Sequence, residues 1–446
     1  MMTWDPRATE VLDRLRRAGH RAVLVGGCVR DSLLSIPLHD YDAATSARPE
    51  EVMAACGDLH VVETGLKHGT VTVFNGGLPV EVTTFRREGA YSDHRRPDRV
   101  DFTLDLAQDL ARRDFTINAM AYSPTRGLVD PFGGREDLEA NRLRAVGSAT
   151  ERFGEDSLRI LRGVRFAVRY GMTVEAETEK AMTAQAPLMD NLARERVFSE
   201  LCKILPLVTA EDMMRFAPVL TRVIPELQPM IGFDQKNPHH AHDLYGHTAR
   251  VVAEVPGDLT LRWAALLHDV GKQKCFTIDE MGIGHFYGHA AIGAEMADEI
   301  LRRLKAPTAL REQVMTLVEH HMTPLEPRKK ILRRRLSALG WDTVTGLLEL
   351  QTADMGGKNA GEDSDRLEAV RQVLQEIRQE NTCLSLKNLA VNGYDMMALG
   401  YSGKEVGRRL NALLELVLDD KLENSRDILM EAAAVLPTGE NEEEIQ

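Results

Sequence analysis

The sequence predicts an α+β protein: a small mixed-sheet head followed by an all-helical remainder. Three observations predict it. Short β-rich runs crowd the first quarter of the chain, AVLV at 22–25 and then HVVET, GTVTVFN and LPVEVTTF, each bounded by turns rich in glycine. From about Glu151 the apolar spacing turns helical. At 446 residues the chain has room for two to four domains. The strands are few and short, so they read as one small sheet rather than a barrel.

Taken in order, residues 5–19 form an amphipathic helix, with Val11, Leu12 and Leu15 on one face and Gly19 as its stop. Ala22–Val25 is a buried strand ending at the Gly26-Gly27 turn, and CVRDSLL starts a helix after it. SARPEEVMAAC is a helix with Ser46 as its cap and Pro49 in its first turn. In LPVEVTTF the alternation puts Glu81 and Thr83 on one face and Val80 and Val82 on the other. In the helix over 155–166, Leu158, Leu161 and Val164 face a core. Residues 363–380 read as a surface helix, and GENEEEIQ as a disordered acidic tail.

Lys and Arg number 55 against 68 Asp and Glu, a net charge of −13, which argues against a general nucleic-acid coat but allows a local basic cleft. The five cysteines are scattered and form no C-x-x-C pair, so neither a disulfide framework nor a cysteine zinc site is expected. MMTWDPRATE lacks the features of a signal peptide, and no run approaches a membrane span. A cytoplasmic location is expected.

Chemistry concentrates first between Ala22 and Thr45. A glycine pair between a strand and a helix lets backbone N–H groups approach a phosphate. Asp40 and Asp42, two apart, share a strand face. Two carboxylates so placed repel unless a cation lies between them, and Mg²⁺ takes hard oxygen ligands that it shares with phosphates. On strand pattern alone, Glu81 is either a third carboxylate beside them or a residue facing water. Asp156 and Arg159 stand at i and i+3, which a surface salt bridge explains first.

Gly26-Gly27-Cys28-Val29-Arg30-Asp31, followed by Asp40-Tyr41-Asp42, resembles the nucleotidyltransferase superfamily, in the branch of bacterial CCA-adding enzymes and poly(A) polymerases that carry an HD domain. The resemblance spans nearly the whole chain. It implies that Asp40 and Asp42 hold Mg²⁺ and that Glu81, in VEVTTFR, is the third catalytic acid. Arg112 to Ala119, RRDFTINA, is similar to the second motif, so Arg113, Asp114 and Asn118 join Gly26, Gly27 and Arg30 in binding the nucleotide. VDPFGGREDL, 129–138, resembles a hinge motif. Glu155-Asp156-x-x-Arg159 is similar to the motif in which protein groups read the incoming base, with Arg162 and Arg165 further along the same helix. Arg196 and Glu200 resemble a supporting fifth motif. The loop 86–99, with five arginines, resembles the flexible loop of full CCA-adding enzymes, which makes a CC-only enzyme unexpected. The implied activity is addition of C, C and A from CTP and ATP to the 3′ end of tRNA without a nucleic-acid template. An A-only enzyme and a poly(A) polymerase are the alternatives. From another class, the alternative is a metal-dependent phosphohydrolase with an RNA-binding N-terminal half.

A second signal follows. His247, His268-Asp269, His289, His320 and Asp354 lie on successive helical stretches in an order that resembles the HD phosphohydrolase domain. Imidazole and carboxylate ligands suit Ni²⁺, Mn²⁺ or Zn²⁺, and Mg²⁺ more weakly. His247, His268, Asp269 and Asp354 would hold one metal, His289 and His320 a second, and Lys272 can bind the phosphate being cleaved. The run 328–335 packs six basic residues into eight positions; it reads as a surface helix face or as part of a tRNA-backbone track, the latter favoured because the chain is otherwise acidic. The expected organisation is a nucleotidyltransferase head at 1–146, a helical neck for base selection and tRNA binding at 147–236, an HD domain at 237–357, a C-terminal helical tRNA-binding region at 358–438 and the tail at 439–446. The oligomeric state is left open.

Overall fold

Helix α1 (Pro6–Arg17) begins where the Asp5 carboxylate accepts the Arg7 N–H at 2.8 Å, and buries Ala8, Val11, Leu12 and Leu15. The computed structural model describes residues 4–88, 100–236, 242–356, 362–380 and 382–437; most of the expected flexible loop and all of the acidic tail lie outside them. Two compact units result, Met1–Gln228 with Arg303–Ala306, and Pro229–Arg302 with Pro307–Gln446.

In the first unit, β1 (Ala22–Val25) runs into α2 (Gly27–Leu33), then β2 (Tyr41–Thr45) and α3 (Pro49–Ala55). The strands β3 (His60–Gly65), β4 (Thr70–Asn75) and β5 (Leu78–Thr84) follow, and β6 (Arg86–Glu88) pairs with β7 (Val100–Phe102). After α4 (Leu106–Ala111) come β8 (Ala121–Ser123), β9 (Gly127–Val129) and α5 (Gly134–Glu139). Seven of these strands form one mixed sheet in the order β3-β4-β5-β2-β1-β8-β9, parallel only between β2 and β5. That parallel register sets Asp42 opposite Glu81. Val80 and Val82 are buried and Glu81 is exposed, as alternation requires. Val23, Val25, Ala44, Phe85, Leu110 and Ala121 pack together beneath the sheet's chemistry.

Two local expectations change. Asp40 precedes β2 rather than lying in it. Ser46 does not cap α3: the helix opens at Pro49, and Ser46 Oγ accepts the Arg21 N–H at 2.9 Å, tying the end of β2 to the start of β1.

The helical part of this unit starts beyond β10 (Arg142–Leu143), with α6 (Ala149–Glu155) and α7 (Leu158–Tyr170). β11 (Thr173–Val174) pairs in parallel with β10, and α8 (Ala176–Gln185), α9 (Arg194–Ile204), α10 (Ala210–Arg215) and α11 (Ala217–Val223) complete it. The helix expected over 155–166 is broken at Asp156, whose φ of −134° and ψ of 102° are extended.

The second unit holds α12 (Leu244–Glu254) and α13 (Leu259–Leu267), a hairpin of β12 (Thr277–Ile278) and β13 (Gly284–His285), α14 (His289–Arg303), α15 (Thr308–His320) and α16 (Lys329–Met355), which breaks at Gly340 (φ +78°). Helix α17 (Glu362–Gln379) buries Leu367, Val370, Leu374 and Ile377. The expected surface helix is therefore a packed amphipathic one. Helices α18 (Gly393–Ala398), α19 (Lys404–Leu418) and α20 (Arg426–Val435) close over Met396, Leu413, Leu418 and Leu429.

The basic run at the start of α16 is not an open cationic face. Lys329 pairs with Glu376 and Glu380, Lys330 with Asp419, Arg333 with Glu380 and Asp420, and Arg334 with Glu415 and Asp419. These carboxylates take up charges that the sequence reading assigned to an RNA backbone. Among the described residues, no helix is long and apolar enough to cross a membrane.

The hinge-like stretch is held tightly. The Asp130 carboxylate accepts the Gly134 and Arg135 N–H groups at 2.8 and 2.9 Å. A Cβ on Gly134 would lie 2.2 Å from the Thr116 carbonyl oxygen. Gly134→Ala should therefore destabilise the first unit by about 1–3 kcal/mol, read as a lower thermal midpoint; an unchanged melt would show that the turn yields at no cost.

Candidate active sites

The turn after β1 needs glycine for two reasons. Gly26 has φ +69°, and a Cβ there would lie 2.8 Å from Arg113 Nη1 and 3.8 Å from Asp42 Oδ2. The backbone turn, the Asp42 carboxylate and the Arg113 guanidinium thus meet at one point. Asp42 is largely buried, and burial, then the negative charges of Glu81 and Asp40, push it up to about 6 against the pull of Arg113. A carboxylate under that strain is a natural seat for a cation. Asp40 is exposed at the entry to β2, and Glu81 is exposed on β5. A small cavity of about 220 Å³ lies between Asp42, Glu81, Thr83 and Arg113.

A larger cleft of about 870 Å³ also borders Asp42. Nine arginines and one lysine line it with only three carboxylates, Asp42, Asp114 and Asp156. Gly26, Gly27, Arg30, Arg113, Asp114, Asn118, Asp156, Arg159, Arg162 and Arg165 all contribute. Asp109, not singled out in the sequence, organises the arginine pair. Buried in α4, it takes Arg112 Nε and Nη2 at 3.0 and 2.9 Å and stands 3.5 Å from Arg113 Nη2. Its i,i+3 and i,i+4 spacing to the two arginines was the available signal.

A polar chain runs through the cleft wall. Arg162 Nε donates to Asp114 Oδ2 at 2.7 Å, and Asn118 Nδ2 donates to Asp114 Oδ1 at 2.9 Å. Arg30 donates to Asn118 Oδ1 and, at 2.8 Å, to Asp31, which also accepts the Tyr170 hydroxyl at 2.9 Å. The Arg30 guanidinium lies 4.7 Å from the Tyr170 ring centroid. Burial raises Asp114, but the Arg162 charge, the Asn118 hydrogen bond and Arg159 outweigh it and leave its pKa at about 2.

Asp156 and Arg159, the residues expected to read the base, do not form the i,i+3 bridge with each other. Because the helix breaks at Asp156, its carboxylate caps the next helix through the Leu158 N–H at 3.1 Å and binds Arg196 Nη2 at 2.8 Å. Arg159 instead binds Glu155 at 2.6 Å and the Arg112 and Arg152 carbonyls. Glu200 accepts from Arg165 at 3.1 Å. So Arg196 and Glu200 brace the arginines and carboxylate of the cleft from α9.

In the second unit, His247, His268, Asp269 and Asp354 bring donor atoms within 4.8 Å of one another, and Asp269, His289 and His321 form another such group. Asp269 uses both oxygens: Oδ2 lies 3.2 Å from His268 Nε2 and 3.5 Å from His247 Nε2, while Oδ1 lies 3.4 Å from His289 Nε2 and 3.8 Å from His321 Nε2. His247 Nε2 is 2.9 Å from Asp354 Oδ1. His268, His289 and His321 each donate Nδ1–H to a carbonyl three residues back, Ala265, Phe286 and Val318, at 2.7–2.8 Å. That fixes each ring with Nε2 facing inward, the arrangement metal-ligating histidines use. Burial opposes charge on His268, but Asp269 and Asp354 raise it to about 10. A metal would supply that positive charge instead. The second group contains His321, not His320. His321, the residue capping the end of α15, has its ring turned inward, whereas His320, one residue earlier, is directed about 100° away around the helix. Lys272 is also buried: Nζ binds Asp269 Oδ2 at 2.7 Å and Gln235 Oε1 at 2.9 Å, so it holds Asp269 rather than reaching for a phosphate.

The Asp114 shift has a pH consequence. Its folded-state value lies below the ordinary aspartate value of 3.8, so its contribution is complete above about pH 4 and is lost as pH falls through about 2. In urea titrations across pH, wild type should lose about 2 kcal/mol over that window, and Asp114→Asn should lack this step. An identical acid limb in both chains would refute the assignment.

Residues 22–144 match the family described as Poly A polymerase head domain, 171–230 the one described as Probable RNA and SrmB-binding site of polymerase A, and 285–433 tRNA nucleotidyltransferase domain 2, putative. The CCA-adding enzyme of Streptococcus pneumoniae serotype 19F is 33% identical over 432 residues, 95% of each chain. That of Streptococcus pyogenes serotype M3 is 48% identical over 199 residues, 45% of this chain and 49% of the relative. Among solved structures, the Bacillus stearothermophilus CCA-adding enzyme in complex with CTP superposes with a TM-score of 0.71 at 28% identity, covering 96% of this chain and 97% of that one. With likeness along nearly its whole length to such a relative, and a glycine turn, a carboxylate and an arginine cleft brought together in its head, this chain belongs to the CCA-adding enzyme family.

Proposed function

We propose that this chain adds C, C and A from CTP and ATP to the 3′ end of tRNA. The observation that carries the reading is the single cleft in which Asp42 stands over the Gly26 turn while the surrounding arginines far outnumber the carboxylates. Such a surplus of fixed donors fits a triphosphate. A relative solved with CTP supports the same substrate class. Asp40 and Asp42 would hold Mg²⁺, with Glu81 beside them. When bound, Mg²⁺ supplies charge stabilisation for the attacking and leaving oxygens. The tRNA 3′-oxygen attacks the α-phosphorus, the bond to the β-phosphate bridging oxygen breaks, and pyrophosphate leaves. Arg113, fixed beside Gly26, and Arg162, fixed by Asp114, neutralise phosphate charge. Arg30 and Asn118 form the wall for the ribose and phosphate. Asp156 and Arg159 select the base: a guanidinium donates to cytosine O2 and N3, and a carboxylate accepts from the exocyclic amine. Both now bind protein partners, which they must exchange for the base.

We further infer a second, metal-dependent phosphohydrolase activity in the second unit. It rests on the two donor groups that share Asp269. The His and Asp donors fit Ni²⁺, Mn²⁺ or Zn²⁺ better than Mg²⁺. A metal there would polarise a phosphoryl oxygen. The chain's own part is to orient the imidazoles through backbone carbonyls and to hold Asp269 with Lys272.

The deciding assay offers tRNA transcripts ending before CCA, at −C and at −CC, with Mg²⁺ and CTP, ATP or both. Ordered addition of C, C and A that then stops is expected. Addition of A alone to the −CC transcript, or a long A tail, would overturn the reading. In the same chain, Asp40→Ala should abolish addition, a fall of at least about a hundredfold, and leave phosphoester hydrolysis intact, while His268→Ala should do the reverse. Joint loss of both activities in either variant would refute two independent sites.

A further inference from the structure

The polar chain of the first unit's cleft wall begins and ends on one helix. Arg162 and Tyr170, its two ends, stand eight residues apart on α7, and Phe166 lies midway, four residues from each and on the same face. Phe166 is only 4% exposed, yet three guanidinium groups gather over its ring. The Cζ atom of Arg165 lies 4.6 Å from the ring centroid, that of Arg30 5.2 Å and that of Arg162 5.3 Å.

Carboxylates alone do not account for this gathering. Asp31, Asp114 and Glu200 each bind one of the three arginines, but they come from separate places: α2, the turn before Thr116, and α9. The ring is the contact that all three arginines share. Arg165 shows the strain of the crowding. Burial lowers its pKa, and the charges of Arg162 and Arg30 lower it further against the pull of Glu200 and Asp114. Its Nε is buried and finds no hydrogen-bond partner among the described residues. An aliphatic side chain in place of Phe166 would fill the space and leave that repulsion unopposed. An aromatic ring presents a negative π-face, whose attraction for a cation is strongest away from water.

The ring is itself held in place. Phe115, in the RRDFTINA stretch, meets it at 83° with centroids 5.8 Å apart, and Tyr170 stacks with it at 6.3 Å. A Cβ on Gly163, one turn earlier in α7, would lie 3.1 Å from Phe115 Cζ, so glycine lets Phe115 come close to the helix.

We propose that Phe166 is a positioning residue for the nucleotide: its π-face, not its bulk, holds Arg30, Arg162 and Arg165 together as one binding surface for the triphosphate. The proposal rests on the nucleotidyl-transfer reading given above. A bound triphosphate brings the negative charge that the three cations need, and in the free protein the ring supplies part of it. Buried among guanidinium groups, Phe166 reads no base edge, so it acts alike on CTP and ATP.

The test replaces Phe166 in the full chain with 4-fluoro-, 3,5-difluoro- and 3,4,5-trifluorophenylalanine. These keep nearly the shape of the ring and withdraw electron density from its face stepwise. Dissociation constants for CTP, ATP and inorganic tripolyphosphate are read by calorimetry without Mg²⁺. All three should rise with each added fluorine, by a common factor that reaches at least about fivefold at the trifluoro ring. In nucleotide addition, KM for CTP on a −C transcript and for ATP on a −CC transcript should rise by that factor, with kcat changed by less than about twofold. A residue that only fills space would instead show affinities unrelated to fluorine number. That result, with wild-type addition intact, would overturn the proposal and leave the nucleotidyl-transfer reading standing. A loss confined to CTP or to ATP would overturn it as well. If wild type extends neither transcript while tripolyphosphate affinity still follows the fluorine series, the transfer reading falls and the role of the ring stands.

Discussion

The first unit depends on holding many guanidinium groups around one cleft against their mutual repulsion. Carboxylates brace the major arginines. Asp109 takes Arg112 and Arg113, Asp114 takes Arg162, Glu155 takes Arg159, Asp156 takes Arg196, and Glu200 takes Arg165. The braces come from α4, from the turns before Thr116 and Leu158, from the end of α6 and from α9, so the helical neck and the sheet head define one electrostatic object. Donors fixed in this way need little reorganisation when charge develops on a phosphate, which is where most electrostatic catalysis originates.

Asp42 faces the opposite problem. It is a largely buried carboxylate with Glu81 opposite it in the parallel register and Asp40 nearby; burial first, and then their negative charges, raise its pKa. Arg113 offsets part of the rise. A strand pair that places two acids side by side and a glycine that admits an arginine above them together make a place where positive charge is needed on both sides.

The second unit solves a related problem with one carboxylate. Asp269 presents one oxygen to each donor group, and three imidazoles are fixed by carbonyls of their own helical turn or approach. This local fixing explains why the set is compact although its members span more than a hundred residues of chain. It also explains the replacement of His320 by His321. Both lie where α15 ends, and only the geometry of that final turn decides which ring faces Asp269.

Where neighbours in the chain carry the geometry, the sequence was legible. The Gly26 turn, the alternation around Glu81, the RRDFTINA stretch and the HD order all rest on short spacings, and the structure brings most of the named side chains together at two sites. The local pattern misled where a helix end or a remote partner intervened. The Asp156–Arg159 spacing means little once the chain is extended at Asp156, and Ser46 faces Arg21 because β2 returns beside β1. The basic run of α16 meets its carboxylates 47 to 89 residues later, at α17 and the end of α19, so no local window could show that these charges are paired. The sequence by itself named most of the side chains that the structure brings together at the two sites, because carboxylate pairs, glycine turns and imidazole series are local devices. Only the tertiary structure decided which charges remain for a ligand, because a salt bridge depends on distance in space and not on separation along the chain.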